Sequence, residues 1–292
     1  MKASSKADSS KVYFITGAAS GIGAATAKLA ASRGNRVVIA DIDDKEAKAV
    51  AQSVGPSAMA LHLDIRSRDQ WEAALDEAWR RFGRLDILVN NAAVVHTGYA
   101  RDVSLEKHQH TLDTNFMGPL TGMLAALPRF RRQGSGHIVT ICSMTAYLPF
   151  PGIASYAAAK HALRAFHHAV ALEERDSPIA FTILHPTSTE TPMLEKEAQD
   201  DAMSLAFAGP SMLPEQVAET ILKAIKSKRI EVFMPPERGR VVRVVGVNPR
   251  SLRKMVERNE IIGKERLDAR RAALAAGQPV GTKIRLSPGP AA

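Results

Sequence analysis

The sequence predicts a doubly wound α/β fold, a parallel sheet of about seven strands with helices on both faces, and three observations predict it. Short apolar runs near residues 12–16, 36–41, 58–64, 85–90, 137–142, 179–184 and 230–234 alternate with helical stretches, the rhythm of strand–helix–strand units. The runs are continuous rather than alternating in polarity, as strands buried on both faces require. Gly17, Asp41, Asp64, Asn91, Ser143 and Thr191 all fall at or just past the ends of such runs, where sheets of this kind bind ligands.

The elements follow in order. Val12-Tyr13-Phe14-Ile15 reads as a buried strand, and the alanine-rich stretch from Ala24 to Arg33 reads as a helix. Between them lies Thr16-Gly17-Ala18-Ala19-Ser20-Gly21-Ile22-Gly23, so the glycines occupy a strand-to-helix turn. There a backbone without Cβ turns tightly and approaches a pyrophosphate, whose charge suits the N–H groups and positive end of the helix. This is the Rossmann arrangement, and it predicts a bound dinucleotide. A glycine loop that only packs helix on strand is the ordinary structural alternative.

The second run, Arg36 to Asp41, ends in a carboxylate about 20 residues beyond the glycines, the distance at which an acid meets the adenosine ribose hydroxyls. A carboxylate there repels a 2′-phosphate, which favours NAD over NADP; Arg36 stands too early in the strand to be an obvious phosphate ligand. Asp41 could instead be the N-cap of a helix starting near Asp43. The third run leads into Leu63-Asp64-Ile65, the fourth into Asn90-Asn91-Ala92-Ala93, and the fifth, from His137 to Cys142, into Ser143. Tyr156 and Lys160 follow on a predicted helix, four apart and therefore on one face. An ammonium beside a phenol, whose free pKa is about 10, favours phenolate and suits it to act as a base.

Taken in order, these motifs resemble the short-chain dehydrogenases/reductases, in their simple single-domain branch, over about residues 11–235. The resemblance implies a catalytic set of Asn115, Ser143, Tyr156 and Lys160. It also implies cofactor contacts from Gly17, Ser20, Gly21, Ile22, Gly23, Asp41, Asp64, Ile65, Asn91, Tyr156, Lys160 and Thr191. In that scheme Ser143 holds the substrate oxygen, Tyr156 exchanges the proton, and Lys160, together with the positive nicotinamide of oxidised cofactor, lowers the tyrosine pKa and also holds the nicotinamide ribose. Asn115 positions a water between Lys160 and solvent. Hydride passes directly between substrate carbon and nicotinamide, no metal is required, and a homodimer or homotetramer pairs through the two long helices before and around Tyr156. Singly, Ser143 could be a turn cap, Asn115 a buried hydrogen-bonding residue, and Asn90 and Asn91 turn formers. Two positions depart from the family pattern: Ala93 and Thr187 stand where glycine is usual. Threonine resists positive φ, so a turn needing it would reshape the nicotinamide pocket.

Length and composition bound the rest. The 292 residues can build one large core, and nothing before residue 235 marks a second domain, which gives a leader (1–10), a catalytic domain (11–235) and a C-terminal extension (236–292). The leader is rich in serine and lysine and lacks the apolar core of a secretory signal, so it reads as disordered. No run approaches the roughly 18 apolar residues of a membrane span. The single cysteine, Cys142, excludes an intramolecular disulfide and suits a reducing cytoplasm. The histidine pairs 108/110 and 167/168 lack the spacing of a zinc site, and no Gly-x-Ser-x-Gly turn supports a serine hydrolase.

From Lys226 onward 16 basic residues stand against 6 acidic ones, so the net charge of +9 belongs to the extension. There a helix is predicted from Ser251 to about Ala276. Its readings are a solvated helix packing on its own or a neighbouring subunit, or contact with an anionic membrane surface; with Phe233 the one aromatic from Lys226 onward, nucleic-acid base stacking is disfavoured. The segments expected to face the nicotinamide are mostly apolar: residues 144–150, and Met193, Leu194, Met203, Leu205, Phe207, Met212 and Leu213. They predict a hydrophobic alcohol or ketone as substrate. A reductase of carrier-bound 3-oxoacyl groups and a non-catalytic cofactor-sensing protein are the alternatives; the intact set of four residues argues against the second.

Overall fold

The structure, a computed structural model, describes residues 10–278. The predicted leader therefore lies almost wholly outside the described residues, as does the end of the extension. The chain runs β1 (Val12–Thr16), α1 (Gly21–Ser32), β2 (Arg36–Asp41), α2 (Asp44–Val54), β3 (Ala58–His62), α3 (Arg68–Phe82) and β4 (Ile87–Asn90). Then come α4 (Leu105–Leu112), a π-helical turn (Asp113–Met117), α5 (Gly118–Gln133), β5 (Gly136–Ile141), α6 (Ala154–Glu173) and β6 (Ile179–Pro186). The last part holds α7 (Pro192–Glu197), a 3₁₀ segment (Asp201–Phe207), α8 (Pro214–Ser227), β7 (Glu231–Met234), α9 (Pro236–Gly246) and α10 (Pro249–Ala275).

All strand pairs are parallel, in the order β3-β2-β1-β4-β5-β6-β7. The order reverses between β1 and β4, which opens a crevice at their carboxyl ends. Alternate residues of one strand feed opposite cores. Val12 and Phe14 of β1 join Trp71, Leu75, Met123 and Phe130 of α3 and α5, whereas Tyr13 and Ile15 join Ala27 and Ala30 of α1 and Val217 and Ile221 of α8. Burial on both faces is why these strands read as unbroken apolar runs.

The expected helix in the extension is present, and it packs on its own chain. Gly263 of α10 lies against the Ser204 backbone, Leu267 is buried in a cluster with Met203 and Phe207, and Val242 of α9 packs with Met144 and Phe233. No helix of the described residues is long and apolar enough to cross a membrane.

Candidate active site

The glycine turn is built for close approach. Gly17 sits at φ +62°, and a Cβ on it would lie 2.7 Å from Ala92 Cα. A Cβ on Gly23 would collide with the Gly17 carbonyl and come within 2.6 Å of Asn91 Nδ2. Asn91 uses that amide to staple the turn, donating to the carbonyls of Thr16 (2.8 Å) and Gly17 (3.0 Å). Ser20 caps α1 without spending its hydroxyl on the helix, and the first turn of α1 carries no acid, so its positive end is left for an anion. Gly17, Ser20, Gly21 and Ile22 line the cleft; Gly23 lies beneath, as the packing glycine.

Asp41 closes this end. Its carboxylate accepts from Ala19 N (2.9 Å) and Asp43 N (3.1 Å), while the cap of α2 is Asp43, which accepts from Glu46 N (3.1 Å). The capping alternative for Asp41 is thereby removed. Arg36 lies at the other end of β2, its guanidinium 5.7 Å from the Phe82 ring centre. Asp64 and Ile65 line the cleft beside Arg66, whose Nε and Nη2 hold the Asp64 carboxylate at 3.0 and 2.6 Å and keep it below the usual carboxylate range. Thr191, the N-cap of α7, approaches the turn from the far side, its methyl 3.0 Å from where a Gly21 Cβ would be. These cradles, filled by any added methyl, suit a nicotinamide dinucleotide.

The catalytic candidates converge where β5 ends. Ser143, Tyr156 and Lys160 all line the cleft. Ser143 Oγ accepts from Thr145 N (3.1 Å), so the residue does cap the short 3₁₀ turn Met144–Ala146. Lys160 Nζ lies 5.5 Å from the Tyr156 ring centre and donates to the Ile141 carbonyl (3.1 Å); its burial lowers its pKa. The protein surroundings of the phenol work against the lowering expected from Lys160 and the oxidised nicotinamide together. Burial raises the Tyr156 pKa, the nearby Glu197 and Cys142 raise it further, and the hydrogen bond with Ser143 opposes them. Low-dielectric surroundings disfavour the phenolate, and Lys160 is itself desolvated.

Asn115 is fully buried in the π-helical turn and, unlike these three, is not among the residues that line the cleft. Its amide clamps one residue of the loop after β4, accepting from Val94 N and donating to Val94 O, both at 2.8 Å. Its side chain is thus spent on the backbone. The concern over Thr187 also resolves: Lys228 alone among the described non-glycine residues has positive φ, so the turn after Pro186 needs no glycine.

Several site residues carried no sequence motif. His185 is completely buried and has an acceptor at each ring nitrogen, Ser143 O at 2.9 Å from Nδ1 and Glu231 Oε1 at 3.0 Å from Nε2. Both nitrogens must donate, so the ring is a cation. Burial alone would lower its pKa; hydrogen bonds with Cys142 and Glu231 outweigh it and push it up to about 9. Glu197, on α7, faces the cleft, and burial pushes its carboxyl up to about 7.

The cleft holds about 880 Å³, and its outer part is apolar, with Leu148, Phe150, Met193, Met203 and Leu205 among its walls. Of the other expected wall residues, Phe207 packs into the cluster beneath α10, Met212 against the core that holds α8, and Leu213 caps that helix. The extension supplies the rest of the wall through Arg238, Val241, Val242, Met255 and Asn259. It is anchored by Arg270, whose two terminal nitrogens reach the Glu190 carboxylate at 2.9 and 2.8 Å, next to Thr191. Among the described residues, no three His, Cys, Asp or Glu side chains are grouped to hold a metal ion.

The family described as short chain dehydrogenase matches residues 11–202. The chain belongs to this family. As a short chain dehydrogenase it is an oxidoreductase of CH–OH groups with a nicotinamide cofactor. It is 35% identical over 190 residues to the 3-alpha-(or 20-beta)-hydroxysteroid dehydrogenase of Mycobacterium tuberculosis, covering 65% of this chain and 73% of that one. A 3-ketoacyl-(acyl-carrier-protein) reductase from Brucella melitensis, solved with NADH, superposes with a TM-score of 0.70 at 32% identity, over 76% of this chain and 95% of that one. A short chain dehydrogenase/reductase from Burkholderia phymatum, solved with NAD, shares the fold over 96% of this chain and 99% of that one, with a TM-score of 0.76 at 23% identity.

Proposed function

We propose that this short chain dehydrogenase interconverts a hydrophobic secondary alcohol and its ketone, using NAD in preference to NADP. The observation that carries the reading is the meeting of Ser143, Tyr156 and Lys160 in one cleft with the glycine cradle, under apolar walls. When bound, the nicotinamide ring accepts or gives up the hydride. Ser143 Oγ donates a hydrogen bond to the substrate oxygen and holds it against Tyr156. Tyr156 Oη gives that oxygen its proton in reduction and takes it in oxidation. Lys160 supplies the buried positive charge beside the phenol and reaches the ribose, and Asn115 fixes the loop after β4 through Val94. The apolar walls exclude water and strengthen each of these interactions.

The preference for NAD rests on Asp41 and the adjacent Asp43 at the end of β2, with Arg36 at the strand's other end and Arg66 engaged by Asp64. The partly exposed Met117 and Leu124 beside and on α5 support pairing into a homodimer or homotetramer, and the lone buried thiol of Cys142 supports a cytoplasmic setting. One observation favours a second reading, reduction of carrier-bound 3-oxoacyl groups: Arg250, Arg253, Lys254, Arg258 and Lys264 are exposed on α10 and would attract an acidic carrier. Because the extension walls the pocket, charge reversal of these residues, not deletion of the tail, separates the two readings.

The test is production of NADH and NADPH over a panel of hydrophobic secondary alcohols, with Tyr156→Phe as control. The expected outcome is NAD-linked turnover that falls about 10²- to 10⁴-fold in Tyr156→Phe while NAD binding persists. Unchanged turnover in that variant removes the tyrosine from the chemistry.

A further inference from the structure

The cleft contains four basic side chains besides its histidine, and three have evident employment. Lys160 sits beside Tyr156, Arg66 is paired with the Asp64 carboxylate, and Lys196 donates to the Val95 carbonyl at 3.0 Å. The fourth, Arg238, comes from the first turn of α9 and is half-buried. Among the described residues no carboxylate lies within ion-pair distance of it. One of its donors is accounted for, Nη1 on Thr187 Oγ1 at 2.6 Å. Burial works against its charge, with Glu237 supporting it and Arg266 opposing it.

Its orientation is fixed by the surrounding chain. Thr187 is held in turn by its N–H on the Met234 carbonyl at 2.9 Å, and a glycine there would offer Arg238 no hydroxyl. The guanidinium crosses Gly209, where any Cβ would collide with Nη2. A guanidinium cannot shed its charge, so one placed half out of water with most of its donors unspent is suited to a planar, two-oxygen acceptor. The same helix face carries Val241 and Val242, three and four residues on, and Val242 packs on Met144, the residue after Ser143. Apolar wall, catalytic serine and cation are therefore consecutive along one side of the pocket.

We propose that Arg238 is a carboxylate-binding residue of the substrate pocket, and that the alcohol or ketone turned over by this chain is a hydrophobic hydroxy or oxo acid. The apolar body lies against Val242 and Met144, the carbinol reaches Ser143 and Tyr156, and the carboxylate pairs with Arg238. This rests on the proposed function for the reaction but not for the binding.

The experiment separates the two. Calorimetry on the NAD-loaded full chain measures binding of carboxylates without a hydroxyl, from cyclohexanecarboxylate to a cholane carboxylate, each against its primary amide. Turnover of the matching hydroxy acids and hydroxy amides is measured beside it. The wild type is expected to favour acid over amide by about 10- to 100-fold, with Arg238→Met collapsing that ratio through KM and Arg238→Lys restoring part of it. NAD affinity and melting temperature of each variant report on folding. Discrimination in binding without any turnover leaves the carboxylate site standing and removes the proposed reaction. A wild type indifferent to the charge overturns the site without need of a variant. So does an Arg238→Met protein that loses acid and amide equally, or that loses NAD affinity instead, since the arginine would then be a structural brace or a cofactor contact.

Discussion

The two ends of the cleft are made of different material. The cofactor end is largely backbone: glycines at the turn after β1, the start of α1, and strand ends stapled by Asn91, with Asp41, Asp64 and Thr191 at its edges. The substrate end is side chains brought from afar, with Arg238, Val242 and Met255 of the extension meeting Met144, Met193 and Met203. The first can change little without losing its ligand, whereas the second can be rebuilt by altering one helix. The contrast explains how one scaffold keeps a cofactor while its substrates vary.

The strongest way to break this division is to cut the link between its halves. Arg270 and Glu190 form a bidentate pair; burial works to raise the Glu190 pKa, and Arg270 with Ser211 outweighs it and holds the carboxylate charged. Arg270→Met leaves that partly buried carboxylate with Ser211 alone to hold it, a loss expected to cost about 3 kcal/mol in urea unfolding. Hydrogen exchange should show protection falling in α9, α10 and residues 187–191 while β1, β2 and β4 hold. Uniform loss of protection would mean that the extension is part of a single cooperative unit rather than a wall added to one.

A smaller effect is expected at the cofactor end. In Gly23→Ala the new methyl meets the Gly17 carbonyl and the Asn91 amide, neither of which can yield without opening the turn. Overpacking of this kind costs about 1–3 kcal/mol, and here it should appear as weakened NAD binding in titration rather than as altered substrate preference. A variant that binds NAD normally but changes its substrate range would contradict the separation of the two ends.

The same contrast decides what the sequence could show. Buried parallel strands announce themselves because both faces are apolar, so the seven strands were legible to within a few residues, and the glycine turn was legible because its chemistry is local. The helix of the extension was legible too, but the face by which it packs was not. The face that α10 buries carries Gly263, Leu267 and Arg270, at helical spacing, with two further arginines, Arg266 and Arg271, donating to the carbonyls of Ala208 and Ala198. A count of charge assigns such a face to solvent, because only the fold reveals carbonyls waiting to accept from it. His185 and Glu231 are invisible for the same reason: their pairing spans 46 positions and no spacing encodes it.

Glu197 offers the finest test of how the substrate wall acts on the chemistry. Its carboxyl is pushed from 4.5 up to about 7 by burial, so between those values the folded protein binds a proton that the unfolded chain releases. Stability therefore falls as pH rises from about 4.5 through 7 and is lowest above it. The full shift corresponds to about 3 kcal/mol, and water entering the cleft reduces it to an expected 1–2 kcal/mol or so. Glu197→Gln should accordingly be more stable than wild type by about that amount in urea at pH 8 and no different at pH 5. Because the Glu197 charge also raises Tyr156, the same substitution should move the rise of alcohol oxidation with pH toward lower pH. A stability gain that is equal at both pH values would assign the effect to packing, and an unmoved pH profile would place Glu197 out of electrical reach of the phenol.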